Sequence, residues 1–193
     1  MHHSDRLDDR ERATLRTVAD YQFGAGAGDA LFDGPLRVTR SRTGRIRQVY
    51  AFTDGAAESS ADGDDATGGG VDHFADPAAR LVSLGRDGRF TVGLAGGERL
   101  VAALEPPGAR VVVGDESAPF VADGKNAFAK FVRNVDPAVR SRDEVAVVHA
   151  DGRLLAVGRA ELDAGAMADF ETGMAVKVRD GVGEDAVADL ESS

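Results

Sequence analysis

Three short glycine-containing turns, each between two apolar segments of strand character, constrain the fold of this chain most. The first turn, Ser41-Arg42-Thr43-Gly44, lies between Leu36–Thr39 and Ile46–Phe52. The second, Arg86-Asp87-Gly88, lies between Leu81–Leu84 and Arg89–Leu94. The third, Ala150-Asp151-Gly152-Arg153, lies between Glu144–His149 and Leu154–Leu162. A tight glycine turn between two such segments is typical of a β-hairpin. The sequence therefore predicts antiparallel strand pairs in both halves of the chain.

The remaining segments predict short helices and strands around these hairpins. Residues 4–23 predict a helix, with Ser4 as N-cap and acidic residues near its start, where negative charge is favoured. We assign the other segments as strands at Arg99–Leu104, Arg110–Val113 and Met174–Arg179, a short entry segment at Pro119–Asp123, a helical turn at Ala127–Val132, and a helix at Asp163–Phe170 capped by Asp163. The expected class is α+β.

The chain divides into two small domains at a change of pattern near Gly114–Ser117. We expect an N-terminal helix plus antiparallel sheet domain over residues 1–115, a second β domain over residues 117–181, and a flexible polar tail over residues 182–193. Residues 54–79 hold seven acidic residues and a glycine triplet. Because that composition cannot bury a core, we expect a disordered acidic insertion there.

Several classes of protein are disfavoured by what the sequence lacks. It has no cysteine, which excludes disulfides, thiolate metal sites and a cysteine nucleophile. No apolar run reaches the length of a membrane span or resembles a signal peptide, so we expect a cytoplasmic protein with no membrane partner. The four histidines match no metal-site spacing, and His149 is expected to face solvent. We therefore predict no catalytic residue, no metal and no cofactor.

The charged residues are skewed in type as well as in sign. The net charge is −10, with 23 Asp against 10 Glu and 20 Arg against 3 Lys. An aspartate-rich, lysine-poor surface is typical of proteins from very salty cytoplasm, where carboxylates keep a protein soluble. A GC-rich codon bias is the alternative explanation for the same skew, and we favour the halophilic one.

One segment reverses the sign of this charge. Residues 36–47 read LRVTRSRTGRIR and hold five arginines but no acid. An acidic protein gains no solubility from a basic stripe, so this one is expected to face something negative. Arginine forks and short hydroxyl side chains both suit phosphate oxygens, which makes nucleic acid the first hypothesis.

The second half of the chain resembles the PUA domain, a small RNA-binding pseudo-barrel. The resemblance rests on Gly124-x-x-x-Phe128-x-x-x-Val132, on Asp143-Glu144-Val145, on Ala156-Val157-Gly158-Arg159-Ala160, and on Gly173-Met174-Ala175-Val176 in this order. It covers about residues 117–181. It implies a PUA-like β pseudo-barrel in which RNA lies against a helix that follows Gly124, with that helix's first N–H groups facing phosphate.

The first half resembles the patch-forming domain C2 that precedes PUA in archaeal tRNA-guanine transglycosylases and archaeosine synthases. This resemblance rests on Val18-Ala19-Asp20-Tyr21-Gln22-Phe23-Gly24, the Ser-Arg-Thr-Gly-Arg-Ile-Arg turn, and Asp87-Gly88-Arg89-Phe90. Those relatives carry a large catalytic barrel upstream, for which 193 residues leave no room. The resemblance therefore implies a free-standing, haloarchaeal-type tRNA-recognition module, and no catalytic residue or zinc site is carried over.

The sequence thus predicts a non-catalytic protein that binds tRNA in connection with archaeosine or related tRNA modification. Its partners would be tRNA and a tRNA-modifying enzyme acting in trans, with no DNA. An alternative is an assembly subunit that docks such an enzyme through its basic hairpin without binding RNA. A small enzyme with a buried carboxylate–histidine pocket is the other rival. The expected RNA-binding residues are Arg37, Arg40, Arg42, Arg45, Arg47, Gly124, Lys125, Asn126, Lys130, Arg133 and Arg159.

Overall fold

A computed structural model describes residues 6–52 and 79–183 of the chain. The expected insertion at residues 54–79 lies outside the described residues except for Ala79, and so does the tail beyond residue 183. The helices are α1 (Asp9–Phe23), α2 (Ala27–Phe32), α3 (Leu94–Ala103), α4 (Ala118–Ala122) and α5 (Ala164–Asp169), with a 3₁₀ helix at Ala129–Phe131. The strands are β1 (Leu36–Arg40), β2 (Ile46–Ala51), β3 (Arg80–Leu84), β4 (Phe90–Val92), β5 (Arg110–Val113), β6 (Ala127–Phe128), β7 (Val132–Val135), β8 (Glu144–His149), β9 (Leu154–Ala160) and β10 (Met174–Gly181).

The N-terminal helix starts later than the sequence suggested. Its N-cap is Asp8, whose carboxylate accepts from the Glu11 N–H at 2.7 Å, while the Glu11 side chain accepts from the Asp8 N–H at 3.2 Å. This reciprocal capping box satisfies two N–H groups that the first turn leaves without a helical partner. Ser4, the expected cap, lies outside the described residues.

The first sheet confirms two of the predicted hairpins. Its four strands run in the order β1-β2-β3-β4, and every neighbouring pair is antiparallel. One face packs on α1 and α2 around buried residues that include Leu15, Phe32, Val49 and Phe90. The opposite face presents the polar row Thr39, Gln48, Ser83 and Thr91.

The strand predicted at Arg99–Leu104 is wrong, because α3 occupies this segment. Gly96 and Gly97 hide the helix in the sequence, since each lowers intrinsic helix propensity by about 1 kcal/mol relative to alanine. In the fold they are needed for close packing. A Cβ at Gly96 would lie 2.2 Å from the Leu81 carbonyl oxygen, and one at Gly97 would lie 2.5 Å from Val157 Cγ1.

The second sheet is the expected pseudo-barrel, and the third hairpin, β8–β9, lies inside it. Its order is β6-β10-β9-β8-β5-β7, with β5 parallel to β8 and the other pairs antiparallel. The two edge strands, β6 and β7, are consecutive in the chain and are joined by the 3₁₀ helix, so the sheet is nearly closed. β5 lies upstream of the division expected near Gly114–Ser117, yet it sits inside this sheet. The domain bounds stay a prediction.

The segment around the predicted RNA groove differs from its sequence-based assignment. Pro119–Asp123 belongs mainly to a helix, α4, and Ala127–Val132 is not one helical turn but strand, 3₁₀ helix and strand. Apolar and small residues allow either structure here, and the pairing of β6 with β10 decides for the strand. The helix capped by Asp163 is confirmed: its carboxylate accepts from the Ala166 N–H at 2.8 Å.

Candidate nucleic-acid interface

The basic hairpin, residues 36–51, carries the five arginines of the charge-reversed segment on the outer edge of the first sheet. Arg42, Arg45 and Arg47 are exposed, whereas Arg37 and Arg40 are half-buried. The Arg37 guanidinium lies 5.7 Å from the centre of the Phe52 ring, a cation–π distance. Arg42 and Arg47 form no contact with other described residues that would occupy their guanidinium groups. They are therefore the arginines most available to a phosphate.

Arg40 is engaged inside the protein. Its two terminal nitrogens contact the two carboxylate oxygens of Glu11 at 2.7 and 2.8 Å, and it also donates to the carbonyls of Arg6 and Gly44. The hydrogen bond from Arg40 lowers the pKa of Glu11, although partial burial acts in the opposite direction. The side chain is 12% exposed. Arg40 thus fastens the hairpin to α1.

Arg45 connects two turns of the first sheet. Its guanidinium donates to the carbonyl of Gly85, at the start of the β3–β4 turn. Gly44 occupies the left-handed region at φ +80, as the predicted tight turn requires. The structure therefore divides the five arginines into two that are open, Arg42 and Arg47, and three that already contact the protein.

The PUA loop, residues 123–130, holds four of the predicted site residues. Gly124 is exposed at φ +87 and follows α4, so it ends a helix where the sequence suggested that one begins. Its N–H donates to the Val121 carbonyl, and the Lys125 N–H donates to the Phe120 carbonyl, both at 2.9 Å. The expected phosphate site at a helix N-terminus after Gly124 is therefore wrong, because these N–H groups already close the end of α4.

The side chains of this loop have separate roles. Lys125 is 67% exposed and lies 3.4 Å from Asp123, while the Lys130 ammonium sits 4.6 Å from the centre of the Phe131 ring. Asn126 accepts from the Val178 N–H at 3.1 Å, next to the register shift in β10. Asn126 therefore supports the backbone of β10, and the two lysines supply the positive charge of the loop.

Arg133 and Arg159 lie on other parts of the barrel, and each is paired. Arg133, on edge strand β7, contacts both carboxylate oxygens of Glu116 at 2.8 and 2.9 Å. Arg159, on β9, contacts Glu161 at 2.6 Å and faces Lys177 across the β9–β10 pair. Both side chains are exposed, so the two ion pairs can exchange with a phosphate at little energetic cost.

Exposed aromatic rings around the PUA loop were missed from the sequence. Phe120 on α4 is 62% exposed, Phe128 on β6 is 44% exposed, and Phe170 after α5 is 52% exposed. Phe128 lies between buried Ala127 and Ala129, and this alternation places its ring on the opposite, outer face. Exposed rings next to lysines suit unstacked RNA bases.

His149 is buried, and the prediction that it faces solvent is wrong. Its side chain is 9% exposed, with Nε2 2.6 Å from Asp115 and Nδ1 3.0 Å from Asp151. Burial lowers the pKa of His149, but hydrogen bonds to the two carboxylates outweigh it and raise that pKa overall. Burial raises the pKa of Asp151, but hydrogen bonds from Arg153 and His149 outweigh this effect and bring that pKa down to about 2.

This histidine cluster is the arrangement that the small-enzyme alternative requires, but its geometry does not suit a general base. Both ring nitrogens of His149 face carboxylates, which favours the imidazolium form and leaves neither nitrogen free to accept a proton. Among residues 6–52 and 79–183, no group of three acidic or histidine side chains is placed to hold a metal ion. None of the helices within these ranges combines the length and apolar character of a membrane span.

A cleft of about 1140 Å³ lies elsewhere, between α1, the β3–β4 turn and the barrel. Its lining includes Tyr21, which is 94% exposed, and five carboxylate side chains against two arginines. Asp143 and Glu144, two of these carboxylates, are already paired with Arg89 and Arg179. The excess of negative charge disfavours phosphate here, so the cleft is not part of the candidate interface.

Two family profiles match the chain in succession. A profile of the patch-forming domain C2 of tRNA-guanine transglycosylase matches residues 13–63, and a profile of the PUA domain matches residues 109–182. The tRNA-guanine(15) transglycosylase of Methanothermobacter thermautotrophicus is 41% identical over 178 residues, which are 91% of this chain and 23% of that protein. The corresponding Pyrococcus furiosus protein is 38% identical over 178 residues, 91% of this chain and 26% of that protein. The chain spans about a quarter of the length of these curated relatives.

Solved structures with the same fold cover nearly the whole chain. A hypothetical protein of Pyrococcus horikoshii matches with a TM-score of 0.62 and 17% identity, covering 91% of this chain and 92% of that one. A conserved PUA domain protein of Thermoplasma acidophilum matches with a TM-score of 0.58 and 16% identity, covering 94% and 95%. These likenesses confirm the predicted α+β fold with a PUA-like barrel.

Proposed function

Because the chain joins a patch-forming domain C2 of tRNA-guanine transglycosylase to a PUA domain, we propose that it binds tRNA without catalysing a reaction itself. The proposed context is archaeosine or a related tRNA modification. The observation that carries the proposal is the 41% identity that extends through both modules to a protein named for its action on tRNA. The chain would present tRNA to a modifying enzyme acting in trans, in the cytoplasm.

Two surfaces are proposed to contact the RNA. The basic hairpin offers Arg42 and Arg47 to phosphates, with Arg37 and Arg45 beside them. The PUA loop offers Lys125 and Lys130, with the rings of Phe120 and Phe128 exposed around it. Phosphate contacts position an RNA, whereas ring stacking and hydrogen bonds to bases and 2′-OH groups recognise it. Recognition is therefore assigned to the PUA loop and orientation to the hairpin.

The acidic composition makes salt part of the proposal. Affinity that comes from counterion release falls with salt by a log–log slope of roughly −0.7 to −0.9 per phosphate contact. In a cytoplasm of molar salt, arginine–phosphate contacts alone would hold tRNA weakly. The proposal therefore requires that stacking and hydrogen bonding at the PUA loop supply most of the affinity that remains.

The direct test is tRNA binding by the purified chain, measured by fluorescence anisotropy from low salt to the organism's working salt. We expect saturable binding that survives high salt and is weakened when Lys125 and Lys130 are both replaced by alanine. Loss of all affinity at working salt would reject the recognition role. If charge reversal at Arg42 and Arg47 abolished binding to a modifying enzyme in a pull-down but left tRNA affinity unchanged, the assembly-subunit alternative would replace the proposal.

A further inference from the structure

Edge strand β4 of the first sheet is bound by two side chains of the barrel, Glu144 and Arg179. The Val92 N–H donates to Glu144 Oε2 at 3.1 Å, and the Val92 carbonyl accepts from Arg179 Nη1 at 3.2 Å. Arg179 and Glu144 also pair with each other through both guanidinium nitrogens, at 2.8 and 2.6 Å. Both backbone groups of Val92 are thereby bound by an ion pair from the second module.

Further contacts reinforce this junction on either side. Arg80 on β3 pairs with Asp180 on β10 at 2.6 Å, and Arg89 beside β4 pairs with Asp143 at 2.7 Å. Helix α3 packs directly on β9, where Val157 belongs to the hydrophobic core of the first module. The absence of a side chain at Gly97 permits this contact, because a Cβ there would lie 2.5 Å from Val157 Cγ1.

The basic hairpin lies at the opposite edge of the first sheet from this junction. The strand order β1-β2-β3-β4 places three strand spacings between β1 and the docked strand β4. At about 4.8 Å each, these spacings place β1 roughly 14 Å from β4, and β2, which carries Arg47, roughly 10 Å from it. The position of the hairpin relative to the barrel, and so to the PUA loop, therefore depends on how β4 is docked.

We infer that Glu144 is a positioning residue for RNA: through Val92 and Arg179 it fixes the basic hairpin at a set distance from the PUA loop, so that the protein prefers an RNA long and rigid enough to reach both surfaces. The inference rests on the proposed function and adds a basis for selecting among RNAs. A fixed spacing makes the second contact intramolecular, which raises the affinity of an RNA that fits both surfaces and leaves other RNAs unaffected.

Glu144 can act on RNA only through this geometry. Its side chain is 9% exposed and negatively charged, so it neither reaches nor attracts a phosphate. An effect of Glu144 on RNA affinity therefore reports the position of the modules. Arg179 is less suitable as a probe, because its own positive charge could contact RNA.

The experiment uses the full chain, a tRNA transcript and a series of RNA stem-loops of increasing length, with affinities measured by anisotropy. The double variant Arg42→Ala/Arg47→Ala first divides the RNAs into two groups. RNAs in the first group bind this variant more weakly than the wild type and therefore contact the hairpin. RNAs in the second group bind both proteins equally and therefore contact the barrel alone. Because part of the gain from a fixed spacing is lost, we expect Glu144→Gln to weaken the first group about five- to tenfold and to leave the second group unchanged. Asp29→Asn removes the same charge from an ion pair inside the first module, Arg16–Asp29, and should change neither group.

A second variant disturbs the same junction at another point, in case Glu144→Gln leaves the junction intact. Gly97→Val inserts a side chain against Val157 and should produce the same selective loss. Equal losses for both groups of RNA, or no loss for tRNA with either variant, would overturn the inference. So would a tRNA whose affinity is insensitive to Arg42 and Arg47. Absence of binding by every RNA would instead reject the proposed function.

Discussion

Replacing Arg42 and Arg47 together by alanine should reduce the salt dependence of tRNA binding by an amount that follows from the number of open arginines. Each arginine that neutralises a phosphate contributes about 0.7 to 0.9 to the slope of log affinity against log salt. If all five arginines of the hairpin made phosphate contacts, they would contribute about 3.5 to 4.5. Because only Arg42 and Arg47 are open, we expect their loss to reduce the slope by about 1.4 to 1.8.

Arg40→Ala is the matched control on the same hairpin. Arg40 is 12% exposed and bound to both oxygens of Glu11, so its loss removes a half-buried ion pair instead of a phosphate contact. It should lower the free energy of unfolding by about 2 kcal/mol and leave the salt slope unchanged at temperatures where the variant is folded.

The assay is fluorescence anisotropy with a labelled tRNA over a series of potassium chloride concentrations, with urea unfolding measured on the same variants. A slope that falls for Arg40→Ala by about 0.7 to 0.9, the share expected of one open arginine, would refute the division of the arginines into open and engaged groups. A slope that does not change for the double variant would remove the hairpin from the interface.

Three further predictions concern single residues. The carboxylates beside His149 raise its pKa above 6.5, so the stability that they give the folded protein should be complete below about pH 6.5 and should disappear as the pH rises through the folded-state pKa. Urea unfolding measured against pH should show this loss for the wild type and not for His149→Gln. Parallel curves for the two proteins would contradict the prediction. Gly28→Ala should destabilise the protein by about 2 kcal/mol or more in thermal unfolding, because the new Cβ would lie 2.5 Å from the Arg16 carbonyl oxygen; an unchanged melting temperature would show that α1 and α2 can separate freely. Phe128→Ala should weaken tRNA binding by about 1 to 3 kcal/mol while leaving unfolding almost unchanged, and the reverse pattern would return Phe128 to a structural role.

The hairpins were predictable from the sequence because their information is local. Gly44, Gly88 and Gly152 all adopt positive φ values, so a glycine at each turn carries a direct backbone requirement. Helix α3 was not predictable in the same way. Its two glycines disfavour a helix locally, and only the approach of Leu81 and Val157 from distant parts of the chain explains them.

The candidate site was predictable in outline, but not in the roles of its residues. Charge pattern alone marks residues 36–47, whereas the engagement of Arg40 depends on Glu11, 29 residues away, and that of Arg45 depends on Gly85, 40 residues away. The hydrogen bond of His149 likewise depends on Asp115, 34 residues away. The exposure of Phe128 had a signal in the sequence, because it stands between two small residues, Ala127 and Ala129, as on the outer face of a strand.

The central claim is that this chain holds tRNA on two surfaces, the basic hairpin and the PUA loop. Ultraviolet crosslinking at the organism's working salt, followed by sequencing of the bound RNA and mass spectrometry of the crosslinked peptides, tests it most directly. We expect tRNA to be enriched, with crosslinks in both residues 36–51 and residues 123–130. Recovery of no RNA above background, or of tRNA crosslinked only outside these two segments, would contradict the claim.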